Sequence, residues 1–98
     1  NGMDLLSIEV MKDDERGVLY QCGEARFIFR KKDTISANHT HADPETLYLV
    51  EGEIEMTVGD EVKILKAPIG IDIEPNIYHK VVALTDIRMV LDREGKTN

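Results

Sequence analysis

Apolar and polar residues alternate one by one along almost the whole chain. A sequence patterned at period two can hide its apolar side chains only in β-sheet. Phe27 and Phe29 flank Ile28 between Arg26 and Arg30. Ile54, Met56 and Val58 alternate with Glu53, Glu55 and Thr57, and Ile71 and Ile73 alternate with Asp72 and Glu74. Ile87, Met89 and Leu91 alternate with Arg88 and Val90. Beyond the first dozen residues no segment offers a three-to-four-residue apolar repeat. Met3 to Met11 reads equally as a short helical turn or a strand.

Turn signals fall between these runs at short intervals: Asp43-Pro44, Glu51-Gly52-Glu53, Pro68-Ile69-Gly70 and Pro75-Asn76. Gly59-Asp60-Glu61, with strand patterns on both sides, predicts a tight hairpin. Short strands at this spacing, with no helical segments between them, predict an all-β sandwich or barrel. The 98 residues are enough for one domain with a modest core, so residues 1–98 are expected to be a single domain. Asn1 and Gly2 precede the first methionine and read as a tag remnant, and the polar tail from Arg93 to Asn98 is expected to fray.

A formal net charge of −7 argues against nucleic acid and against an anionic membrane surface, since both reward a basic face. No apolar run approaches the roughly 20 residues of a membrane span, and no secretory signal is visible. A lone cysteine, Cys22, cannot form an internal disulfide, and a reducing, cytoplasmic setting is the simplest expectation.

The chain's three histidines carry the chemistry. His39 and His41 are two residues apart, so on a strand both imidazoles project to one side. Glu45 follows beyond the Asp43-Pro44 kink, and His79 lies just after the Pro75-Asn76 turn. Three imidazoles and a carboxylate suit a borderline divalent ion. Parity agrees: Ile35, Ala37, His39 and His41 are expected inward together, as are Glu45, Leu47 and Leu49, and His79 with Val81. The candidate ligands thus share faces that are otherwise apolar, as a metal site requires. A His-x-His triplet by itself is a weak signal. Its conjunction with Glu45, Gly52 and His79 is a much stronger one.

At these positions the sequence resembles the cupin superfamily. The family's first motif, G-x5-H-x-H-x3-4-E-x6-G, is matched by His39, His41, Glu45 and Gly52, with Asp33 in place of the first glycine. Asp tolerates left-handed backbone better than most residues, so a turn is expected there anyway. The second motif, G-x5-P-x-G-x2-H-x3-N, is degraded. His79 is retained, Asn76 stands at the glycine position, Glu74 at the proline position and Ala83 at the final asparagine.

The resemblance covers about residues 26–91. It implies a double-stranded β-helix, a jelly-roll barrel of six to eight strands, with His39, His41, Glu45 and His79 binding one divalent metal ion: manganese, iron, nickel, zinc or copper in the family. It also implies a homodimer. The reactions it suggests are oxygenation, isomerisation or decarboxylation of a small molecule. The alternatives are a non-catalytic binding or sensing module and a structural metal site.

Other residues receive simpler readings. Tyr48 and Tyr78 are expected to point outward, and Phe27, Phe29, Met56 and Met89 to fill the core. Tyr20 and Cys22 could line the barrel mouth. Residues 30–32, Arg-Lys-Lys, read as a solvated turn. Leu47, Leu49, Ile71, Ile73 and Val81 near the site predict a modestly apolar substrate. With no arginine expected inward, a multiply charged acid is disfavoured.

Overall fold

The computed structural model describes residues 2–40 and 42–92, with Asn38 described by its backbone alone. His41 and the tail 93–98 lie outside the described residues, as does Asn1. Ten strands form: β1 (Glu9–Asp14), β2 (Gly17–Cys22), β3 (Ala25–Arg30), β4 (Ile35–His39), β5 (Glu45–Glu51), β6 (Glu53–Val58), β7 (Glu61–Lys66), β8 (Ile69–Ile73), β9 (His79–Ala83) and β10 (Ile87–Asp92). They make a six-stranded sheet in the order β1-β2-β3-β10-β5-β8 and a four-stranded sheet in the order β4-β9-β6-β7. Every pairing is antiparallel. This is the all-β class expected from the alternation and the jelly-roll architecture implied by the family resemblance, with the chain passing between the sheets from β3 to β6 and again from β7 to β10.

No helix forms among the described residues. Residues 2–8 carry no regular structure and the expected ambiguity ends in a strand, β1, paired with β2. That hairpin raises the strand count above the six to eight implied by family resemblance. Its turn is closed locally, because the Arg16 backbone N–H donates to Asp14 Oδ1 at 2.9 Å and Gly17 has φ 141°.

The core lies between the sheets. Leu47, Leu49, Ile73, Ile87 and Met89 come from one side, and Ile54, Met56, Val81 and Ala83 from the other. The Gly59-Asp60 hairpin forms as predicted, with Val58 opposite Glu61. Gly59 at φ 60° matches a two-residue loop whose first position favours glycine. Tyr48 and Tyr78 are exposed, as parity requires.

Two faces are reversed from expectation. On β3 the inward residues are Arg26, Ile28 and Arg30. Phe27 and Phe29 lie on the other face, where Phe27 packs 6.2 Å from Tyr20 and Arg88 sits over Phe29 at 5.1 Å. Arg30, expected in a solvated turn, is buried at 7% exposure. On β4, Ile35 is 49% exposed rather than inward. Ser36 pairs with Val81 but His39 pairs with His79, so one extra residue is inserted on β4. Ala37 adopts φ 54° within this bulge. A bulge switches the parity of everything after it; counted from the outward Ile35, His39 would face outward, and the bulge turns it instead to the face of His79.

Two substitutions test these turns with opposite signs. At Gly52, φ is 99°, and an added Cβ would overlap the Asp86 carbonyl oxygen and come within 2.7 Å of Ile87 Cγ2 and Thr85 Oγ1. Gly52→Ala should therefore cost about 2–3 kcal/mol or more in urea unfolding, given the usual strain of such backbone. A loss under about 0.5 kcal/mol would show the turn is misread. Ala37→Gly relieves roughly 1–2 kcal/mol of left-handed strain against about 0.4–1 kcal/mol of added unfolded-chain freedom. It should raise stability by about 0.5–1 kcal/mol, and a clear loss would contradict the bulge.

Candidate metal and ligand site

A cavity of about 140 Å³ opens between the sheets. By the space one water needs, it would hold on the order of ten waters or a small organic molecule. One wall, from the six-stranded sheet, carries Leu19, Arg26, Ile28, Leu47, Ile73 and Met89, with Glu45 at one end and Arg30 at the other. The facing wall carries Ser36, Ala37, His39, His79 and Val81. Of the aliphatic residues expected around the site, Leu47, Ile73 and Val81 line this cavity.

Three of the four predicted ligands meet at one end. Glu45 begins β5 and His79 begins β9, so each comes from a different sheet. Their Oε1 and Nε2 atoms are 3.6 Å apart, with side chains 5% and 1% exposed. The His39 ring meets the His79 ring edge-on, with centroids 5.0 Å apart. His39 itself is exposed, at the mouth. The fourth predicted ligand, His41, lies outside the described residues. Among the described residues, no group of three or more His, Cys, Asp or Glu side chains is placed to hold a metal ion.

The turn before β9 orients His79. Asn76 has φ 63°, so the residue at the degraded glycine position supplies the left-handed turn itself. His79 Nδ1 lies 3.0 Å from the Ile77 carbonyl oxygen and must carry its proton to donate there. Nε2 is thereby the atom turned to Glu45. An imidazole nitrogen and a carboxylate oxygen facing each other at 3.6 Å are donors that a cation could share. The donor chemistry therefore fits a divalent ion with mixed nitrogen and oxygen ligands. Asp33, at the other altered motif position, also holds a left-handed backbone, φ 73°.

The sequence missed the cationic side of the cavity. Arg26 and Arg30 both face it, although no inward arginine was expected. Arg26 opposes Gln21 across β2, and its Nε donates to Gln21 Oε1 at 2.9 Å. Gln21 is itself fixed by donating to the Gly23 carbonyl at 2.7 Å. The Arg26-x-Ile28-x-Arg30 spacing was the available signal, and the flanking phenylalanines masked it. Tyr20 and Cys22, suggested for the mouth, do not line the cavity.

Comparison with solved structures finds the same fold widely. An RmlC-like cupin from Shewanella frigidimarina aligns with a TM-score of 0.70 at 23% identity, over 85% of this chain and 81% of that one. The capsular polysaccharide assembling protein CapF from Staphylococcus aureus gives a TM-score of 0.75 at 16% identity, over 89% of this chain. This chain spans only 28% of CapF. A predicted oxalate decarboxylase from Thermotoga maritima gives 0.64 at 16% identity, over 68% of this chain and 61% of that one. No curated protein matches the chain significantly in sequence. The family model described as a cupin domain matches residues 25–91, from the start of β3 almost to the end of β10. With that match over more than half its length, the chain belongs to the cupin superfamily.

Proposed function

We propose that this cupin is a metal-dependent protein acting on a small molecule, with one divalent ion held by His39, His41, Glu45 and His79. The observation that carries this reading is the buried Glu45–His79 pair, contributed by opposite sheets at the end of an otherwise mostly apolar cavity. Manganese, iron, nickel or zinc suits the donor set. Such an ion supplies Lewis-acid polarisation of a substrate oxygen or a redox centre. The chain's own residues do the rest. The Ile77 carbonyl holds the His79 ring in place, Val81, Leu47 and Ile73 exclude water, and the mouth at His39 admits the ligand. Oxygenation, isomerisation and decarboxylation are the reaction classes in view, and the likeness of fold to the predicted oxalate decarboxylase from Thermotoga maritima supports the last.

A second reading, a non-catalytic binding or sensing module, is favoured by one feature. Beyond the candidate ligands, the described cavity walls offer only Ser36, Arg26 and Arg30 as polar side chains, so they carry few candidates for proton transfer. Turnover assays on metal-loaded protein separate the two readings.

The same proposal includes a homodimer in a reducing, cytoplasmic setting. Met3, Leu5, Leu6 and Ile8 are all exposed along residues 2–8, ahead of the edge strand β1. A second copy is the simplest cover for that apolar stretch. Sedimentation equilibrium should give twice the chain mass, and a monomer at high concentration would refute this part.

After reconstitution and desalting, the wild type should retain one ion per chain by elemental analysis. Its melting temperature should rise with metal relative to chelator, by an amount equivalent to about 2.7 kcal/mol at a hundredfold excess over Kd. His79→Ala should lose most of that metal-dependent rise, whatever it does to the chelated protein. Retention of no ion by the wild type, or an equal rise in both proteins, would overturn the assignment.

A further inference from the structure

The β3 wall of the cavity is positive in a chain whose formal net charge is −7. Among the described residues, Arg30 Nη1 donates only to the neighbouring Phe29 carbonyl oxygen, at 3.1 Å, and its buried Nε has no hydrogen-bond partner. The charged groups that act on it are Arg16, which repels it, and Asp14, which attracts it. Asp14 is already engaged by Arg16 at 3.4 Å. Burial and the Arg16 charge accordingly push the Arg30 pKa down. A buried guanidinium left in this state carries a desolvation cost that a structural role does not explain.

Arg26 is prepared differently. Its Nε is occupied by Gln21, so the plane of the guanidinium is fixed and the two terminal nitrogens remain as a fork. That fork matches a carboxylate. By register Arg26 lies in the same row as Leu91 and Leu47, one inward step from Glu45. Arg30 lies at the opposite end of the strand, roughly 13 Å away along the backbone at the usual rise. Leu19, Ile28 and Met89 pave the wall between the two ends.

We infer that the cavity takes a small carboxylic acid as its anion, with its carboxylate on the Arg26 fork and its carbon body running toward Arg30 against Leu19, Ile28 and Met89. The inference rests on reading this cavity as the ligand site. It does not require the metal, because the arginines and the candidate metal ligands are different residues.

Metal-stripped, ¹⁵N-labelled protein should be titrated with butyrate and with butyramide, which has the same skeleton without the charge. Butyrate should shift the arginine Nε–H signals saturably and bind at least tenfold more tightly than butyramide. Arg26→Gln should weaken butyrate binding at least tenfold, and Arg30→Gln less, with no loss of the retained ion in either variant. Arg26 is only half-buried, so its variant tests the idea even if Arg30→Gln fails to fold. Equal binding of butyrate and butyramide would overturn the inference. So would wild-type butyrate affinity in every variant that folds. Butyrate binding by a wild type that retains no metal would instead defeat the metal assignment and leave this one standing.

Discussion

The site depends on how far apart the two sheets are held. Glu45 sits on one and His79 on the other, and their facing atoms are 3.6 Å apart in a nearly dry environment. Neither group could be buried alone at tolerable cost. The apolar side chains behind them, Leu49, Ile54, Ile73, Val81 and Met89, set the spacing by packing. Core and site are therefore one construction. Volume changes in the core alter the gap in which the polar pair must meet, because close-packed interiors transmit such strain.

Three residues with left-handed backbone, two in turns and one in a bulge, deliver the side chains to that gap. Asp33 precedes β4, Ala37 lies within it, and Asn76 precedes β9. Asp and Asn enter this conformation at lower cost than most residues because their short polar side chains can bond locally. The altered family motif thus keeps the geometry of its glycines with different residues. Ala37 has no such help, and it sits at the bulge that turns His39 toward His79. Strain held where a ligand is aimed is a common arrangement at functional sites.

The sequence alone made the all-β class, the hairpin at Gly59-Asp60 and the outward tyrosines legible, because each follows from period-two alternation or from a strong turn residue, and it made the grouping of His39, Glu45 and His79 legible through the resemblance to the family motifs. It hid the bulge because alanine gives no warning of a left-handed backbone, and parity counted from Ile35 then reached His39 by an incorrect route. It also hid the inner face of β3. Burial preference favours the two phenylalanines over two arginines, but the tertiary arrangement offers Phe29 a cation above its ring and Phe27 a neighbouring tyrosine. The cavity meanwhile gives the arginine stems apolar surface to lie on. Composition along one strand cannot weigh these alternatives, because they depend on what β2 and β10 bring alongside it.

The charges in the cavity bear on one another. Two guanidiniums against the single carboxylate of Glu45 leave the described walls net positive before any ion is added. A divalent cation at the histidine end increases that imbalance, so by itself it binds against the field of the arginines. An anion between the two ends reverses the sign of the effect: it is attracted by the ion and by the guanidiniums together. Favourable coupling between two ligands of one site is reciprocal, so an acid held on β3 strengthens the hold of Glu45 and His79 on a cation by the same factor that the cation strengthens the acid. On the proposed reading, the positive wall would oppose a metal ion while the cavity is empty and support it once the cavity holds an acid. This gives the long arginines of β3 a role in the candidate metal site although neither of them is among its proposed ligands.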